Sequence, residues 1–231
     1  MKRAVTIFTA LFALAALVGT ASAALRSPQV PIAGDCLQSL LNSQGESINA
    51  ATQQQDIQRW QATVSNNSTF TLQVELTGNA AGNTYGIYNA GFAVPPLYLV
   101  FPGAATTGWF ATASFRTGPT RLVVNLFDNT ASFVGTVTYL AGPPDRNDFG
   151  FYLQGPGTGG SPVFSQDARN PGGAAFALTY AGTGLNSGSW WLAWEDQIGE
   201  SDFCDALFFL ESINPTPVSK TTWGSLKARF K

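Results

Sequence analysis

Along residues 69–76 the chain reads TFTLQVEL. Phe70, Leu72, Val74 and Leu76 fall on one side, and Thr71, Gln73 and Glu75 on the other. RLVVNLF at 121–127 repeats the alternation through Leu122, Val124 and Leu126, and SFVGTVTYL at 132–140 does so through Phe133, Val137 and Tyr139. A period of two sustained over such lengths predicts half-buried β-strands. Further strands are expected at Thr84–Asn89, Leu97–Phe101, Phe110–Arg116, Phe149–Gln154, Ala175–Tyr180, Ser189–Trp194 and Ala206–Glu211. Turn chemistry separates them: Gly78-Asn79, Pro95-Pro96, Asp128-Asn129, Gly142-Pro143-Pro144 and the run GPGTGGSP after Gln154. Many short strands at this spacing predict an all-β fold, a two-sheet antiparallel β-sandwich of jelly-roll type.

Helical spacing is confined to the two ends. GDCLQSLLNSQ predicts one short helix capped by Asp35. In TTWGSLKARFK, Trp223, Leu226 and Phe230 recur at helical spacing among Lys220, Lys227, Arg229 and Lys231. Residues 219–231 therefore read as a basic amphipathic tail, suited to an anionic surface or to docking on its own domain. At the other end, Lys2 and Arg3 precede an almost wholly apolar run from Ala4 to Val18, followed by Ala21-Ser22-Ala23. That order is the pattern of a cleavable secretory signal peptide over residues 1–23. The run is shorter than the ~20 residues of a bilayer span, so after cleavage the protein is not expected to span a membrane. Residues 24–218 are expected to form a single sandwich domain, acting in the periplasm, at the cell surface or in the medium.

Composition narrows the chemistry. Cleavage would remove Lys2 and Arg3 and leave ten Lys and Arg against fourteen Asp and Glu, moving the net charge from −2 to −4. Mild acidity argues against a nucleic-acid partner, which needs a basic footprint. There is no histidine, which removes Ser-His-Asp and Cys-His nucleophile systems and every His-based zinc site. The only two cysteines are Cys36 and Cys204. In an oxidising compartment an even pair favours a disulfide, two unpaired thiols being the alternative.

The segment WWLAWEDQIGESDFCDALFFLE concentrates charge in a chain that otherwise avoids it. Glu195, Asp196, Glu200, Asp202 and Asp205 place five of the fourteen acids within eleven residues, between two apolar flanks. Gathering carboxylates beside an aromatic core costs both repulsion and desolvation. A divalent cation relieves both, and Ca2+ suits best, because it takes six to eight oxygen ligands in flexible geometry and needs neither His nor Cys. A solvated acidic turn is the alternative. The order of an EF-hand loop is missing.

Trp-Glu-Asp followed by Gly-Glu-Ser-Asp-Phe-Cys-Asp resembles the F-E-D … G-D-x-D-F/Y-N-D signature of the bacterial domain of unknown function 4114 family. Those are secreted, β-rich domains of surface and matrix proteins, and their acidic signature implies calcium. The resemblance places ligands on Glu195, Asp196, Asp202 and Asp205, with Gly199 at the glycine. Glu200 replaces an Asp, and Cys204 stands where the family has Asn, so one oxygen is lost there. Upstream, FGFYLQG and FSQDARNPGG are similar to the family's preceding strand and loop, which adds Asp167 and Asn170 as oxygen donors. The similarity covers residues 148–213; the N-terminal half carries none.

The function expected from these readings is that of a secreted, non-enzymatic structural, adhesive or matrix protein stabilised by calcium. Its partners would be extracellular polysaccharide or other surface proteins. An alternative is a carbohydrate-binding protein that stacks sugars on exposed tryptophans. Trp60 and Trp109, flanked by polar or Gly-rich stretches, are the platform candidates, whereas Trp190, Trp191 and Trp194 read as strand core. A glycosidase pair drawn from Asp145, Asp148 and Asp167 is a third option with the least support.

Overall fold

The computed structural model describes residues 24–216; the predicted signal peptide and basic tail lie outside the described residues. The described residues are mostly β, with thirteen strands in two antiparallel sheets that form a sandwich, and one short α-helix. The larger sheet runs β10 (Ala177–Ala181), β11 (Trp190–Trp194), β12 (Ala206–Glu211), β2 (Asn67–Glu75), β5 (Phe110–Thr117), β6 (Thr120–Phe127) and β7 (Phe133–Tyr139). The smaller runs β13 (Ile213–Pro215), β1 (Trp60–Ala62), β8 (Phe149–Gln154), β3 (Thr84–Asn89) and β4 (Leu97–Phe101), with β9 (Val163–Phe164) paired to β8. Every strand expected from alternation is present. The three that escaped sequence reading, β1, β9 and β13, have two or three residues each. So few residues show no period, and they pair only because longer neighbours present an edge.

The facing sides of the sheets enclose the main core. Phe70, Leu72, Ala111, Ala113, Leu122 and Val124 from the larger sheet meet Trp60, Ile87, Phe149 and Phe151 from the smaller. Trp60 has no exposed surface, packing edge-on against Phe151 and Trp190. It therefore cannot be the sugar platform its polar neighbours suggested. Gln61 takes the outward position of β1 and Arg59 the exposed position just before it, and the period of two turns Trp60 inward. Trp109 is half-buried, part of its ring packing on the same core.

A second core lies on the outer side of β10–β12. There α1 (Cys36–Ser43) and the segment after it place Leu37, Leu41, Ile48 and Ala50 over Leu178, Tyr180, Trp191 and Leu207. Two-sided burial explains why WWLAW and ALFFL read as continuous apolar runs rather than alternating ones. Asp35 stands at the N-cap of α1 without a side-chain capping bond. The helix is held instead by its apolar face and by a disulfide, Cys36–Cys204, with Cα atoms 5.9 Å apart. Glu46 adds a polar anchor at 5% exposure. One carboxylate oxygen accepts from Trp191 Nε1 and Asn186 Nδ2, both at 2.7 Å, and the other from the Thr183 N–H and hydroxyl.

The second core ends at Val74 and Phe209. Beyond it, the outer side of β2, β5, β6 and β7 carries a transverse row in which Thr71, Phe110, Phe127 and Phe133 are paired strand to strand. Phe110 and Phe127 stack at 4.7 Å with an interplanar angle of 7°, Phe133 meets Phe127 at 5.8 Å, and Phe133 is 62% exposed. The adjacent row is amide and hydroxyl: Asn125 donates to Thr112 and accepts from Thr136.

Candidate metal centre

The hairpin of β11 and β12 assembles the acidic cluster. Trp194 pairs with Ala206, so Glu195 and Asp196, which leave one strand, lie opposite Asp205, which enters the next. One oxygen from each of these three carboxylates lies within 4.8 Å of the others. Glu195 and Asp196 are each only 1% exposed.

The intervening loop is shaped by these carboxylates. Glu195 accepts from the backbone N–H groups of Gln197 (3.1 Å), Asp202 (3.1 Å) and Phe203 (3.4 Å). Asp205 accepts from the Asp196 N–H at 2.8 Å. Gly199, at φ +96°, and Phe203, at φ +54°, take the left-handed backbone that folds the loop back. Phe203 accepts that conformation while buried in the second core, directly before the disulfide cysteine.

Residues remote in sequence complete the cluster. Asp196 accepts from Asn83 Nδ2 at 2.6 Å and from Asn79 Nδ2 at 3.4 Å. Asn83 is buried, and its Oδ1 has no hydrogen-bond partner. Glu75, at the end of β2, accepts from the Tyr85 hydroxyl at 3.1 Å. The glycine-rich run after β8 lies against these groups. A side chain on Gly155 would strike Asn83, and one on Gly157 would strike the Asp196 carbonyl. Those glycines are there for close approach as much as for turning.

Burial governs the electrostatics. It raises Glu75 to about 7, with the Asp196 charge adding to the effect and the Tyr85 hydroxyl opposing it. Burial likewise raises Glu195, against hydrogen bonds from Asp205 and from backbone N–H groups. Asp205 is raised by burial first, and further by the facing charges of Glu195 and Asp196. No arginine is ion-paired to any of them; the salt bridges among the described residues are Arg26–Asp167 and Arg59–Asp148. The cluster is thus a set of close, poorly compensated oxygen donors. Two ligands of one Ca2+, each at ~2.4 Å, can lie at most ~4.8 Å apart, and the three carboxylates keep within that limit.

Only part of the expected ligand set converges. Exposed Glu200 accepts from Gln197 Nε2, and Asp202 accepts from the Cys204 N–H; neither belongs to the triad. Asp167 is committed elsewhere, ion-paired to Arg26 at 3.0 Å and bonded to Gln58. Asn170 spends its whole amide on backbone, accepting from the Phe164 N–H and donating to the Phe164 and Ala174 carbonyls. These two are structural groups of the 164–174 turn rather than ligands. Asp148 is held by Arg59, and Asp145 accepts from the Asn147 N–H. Glu75, Asn79 and Asn83 went unread because nothing local links them to Asp196, which lies more than a hundred residues along the chain. Glu75 in particular reads as an ordinary outward position of an alternating strand.

No family model, curated protein or solved structure matches the chain.

Proposed function

We propose that this is an exported, non-enzymatic structural or adhesive protein whose β11–β12 loop is locked by calcium. The observation that carries the reading is the triad of Glu195, Asp196 and Asp205, its oxygens within 4.8 Å of one another and two of its residues buried. The unpaired Oδ1 of Asn83 supplies a further buried oxygen donor nearby. The donor set is all oxygen, which suits a hard cation. The Cys36–Cys204 bond fits an oxidising compartment, where calcium is abundant enough to fill a site of ~10⁻⁴–10⁻³ M. The likeness of the acidic segment to the domain of unknown function 4114 signature points the same way. No helix among the described residues is long and apolar enough to cross a membrane.

Chelation tests the reading. In millimolar calcium a site of that affinity adds about 0.4–1.4 kcal/mol, so EGTA is expected to lower Tm by about 1–5 °C, and Asp196→Asn to abolish the difference. A Tm indifferent to EGTA, with no metal found by elemental analysis, would end the calcium proposal.

A second reading, neutral-polysaccharide binding, is supported by the aromatic row on the outer side of β5–β7. The row is flat and partly exposed, and its neighbours Thr112, Asn125 and Thr136 are uncharged. One stacking contact contributes about 0.5–1.5 kcal/mol. Phe133→Ala is therefore expected to weaken retention on a neutral glucan roughly three- to tenfold without lowering Tm, as measured by affinity electrophoresis. Equal retention of the variant would exclude this face.

A further inference from the structure

The six arginines of the described residues divide into two groups. Arg26 and Arg59 are ion-paired to Asp167 and Asp148. Arg169 lies over the Tyr88 and Phe164 rings and donates to Gln166 and to the carbonyls of Ala90, Phe92 and Ala93. The other three, Arg116, Arg121 and Arg146, have no ion pair and no side-chain hydrogen bond among the described residues, and all three line one cleft of about 240 Å³. The Nε–H groups of Arg121 and Arg146 are buried without an acceptor, as is that of the ion-paired Arg26.

This arrangement is unfavourable without a ligand. Arg116 and Arg121 are direct cross-strand partners in the β5–β6 hairpin, and like charges placed opposite one another destabilise a sheet. Arg146 brings a third positive charge from the loop before β8. The one carboxylate in the lining, Asp145, is in no ion pair and has an oxygen committed to the Asn147 N–H. A buried donor without an acceptor is rare in a folded protein. Three arginines without an acidic partner thus gather on one cleft in a chain of net negative charge.

We propose that the Arg116–Arg121–Arg146 cleft binds a small ligand group carrying an oxyanion, a carboxylate, sulfate or phosphate. The planar guanidinium fork matches such groups through paired N–H donors. The volume falls below the ~300–1,000 Å³ of pockets for drug-sized ligands, so a single acidic unit is the size that fits. Phe115 supplies an apolar wall and Asn89 an amide, features that suit an acid borne on an organic ring. The site is distinct from the acidic cluster. Asn67, at the start of β2, pairs with Ser114 beside this cleft, while Glu75 at its far end pairs with Ala206 beside Asp205. At ~3.4 Å per residue the two lie about 27 Å apart, at opposite ends of the sandwich.

The test is calorimetric titration of the protein in EGTA with sodium glucuronate, sulfate, inorganic phosphate and, as the neutral control, glucose. Saturable one-to-one binding is expected for at least one oxyanion, none for glucose, and a loss of about tenfold or more in Arg121→Gln and in Arg146→Gln. Tighter binding of glucuronate than of the inorganic ions identifies the carrier ring as part of the ligand; equal binding identifies the oxyanion alone. Arg116→Gln, at an exposed position, relieves the cross-strand repulsion. Its ligand-free Tm is expected to be unchanged or raised by about 1–3 °C while its binding weakens. Absence of saturation with every oxyanion, or saturation unaffected by all three substitutions, would overturn the proposal.

Discussion

Cys36→Ser combined with Cys204→Ser is expected to lower stability by about 2–5 kcal/mol, read as a fall in Tm of about 5–15 °C for a domain of this size. The bond joins residues separated by 168 positions, so its loss frees the unfolded chain far more than the loss of a short crosslink would. The native-state consequence is equally specific. α1 has no side-chain cap and only eight residues, too short to persist alone in water. Without the bond it is held by Leu37 and Leu41 on the second core, with Glu46 further along. Opening there would expose Leu178, Tyr180 and Trp191, giving a red-shifted tryptophan emission and faster proteolysis near residue 45 ahead of global unfolding. A double variant with wild-type Tm and protease resistance would show that packing alone retains the helix.

Glu46→Gln is expected to cost about 2–4 kcal/mol in urea denaturation at pH 7. The Glu46 carboxylate receives four donors and offers none. A glutamine would turn an NH2 group towards two of them and leave buried groups unpaired, at ~1–3 kcal/mol each. Burial alone would raise the pKa of Glu46, yet bonds from Thr183, Asn186 and Trp191 outweigh it and hold the carboxyl below its ordinary value. The folded state therefore binds the proton less readily than the unfolded chain. Its stabilisation is complete above the unfolded value near 4.5 and is lost as pH falls through the lower folded one. Wild-type stability is expected to decline with acid in that range, and the glutamine variant, already weakened, to decline less steeply. Parallel pH profiles for the two proteins would exclude this role.

Much of the architecture was legible in the chain itself, because a strand with one buried face must alternate. TFTLQVEL, RLVVNLF and SFVGTVTYL all form strands, with boundaries at most two residues from those expected, but β7, at the sheet edge, has no buried residue: Phe133 and Val137, expected on its buried face, are exposed. The failures have a common physical origin. Trp60 was judged by its polar neighbours, which alternate outward because the ring itself faces in. Asp167 and Asn170 are oxygen-bearing side chains in a loop, and only their distant partners Arg26 and Gln58 and the nearby backbone show that their oxygens are spent. In the acidic loop, strand register selects three acids from five. Residues flanking the Trp194–Ala206 pair are brought together, while Glu200 and Asp202 occupy the turn.

By itself the sequence determined what local spacing can determine: the strands, the turns between them, the absence of histidine chemistry, the single possible disulfide and the crowding of carboxylates after Trp194. Tertiary structure alone decided which groups are paired and which are left unpaired. It joined Glu75 and Asn83 to Asp196, engaged Arg26, Arg59 and Arg169 elsewhere, and left Arg116, Arg121 and Arg146 facing a cleft. Periodicity records which side of a strand a residue takes, a property of one segment. Compensation of charge and of hydrogen-bonding groups depends on which segments meet, and in this sandwich the decisive partners lie far apart along the chain.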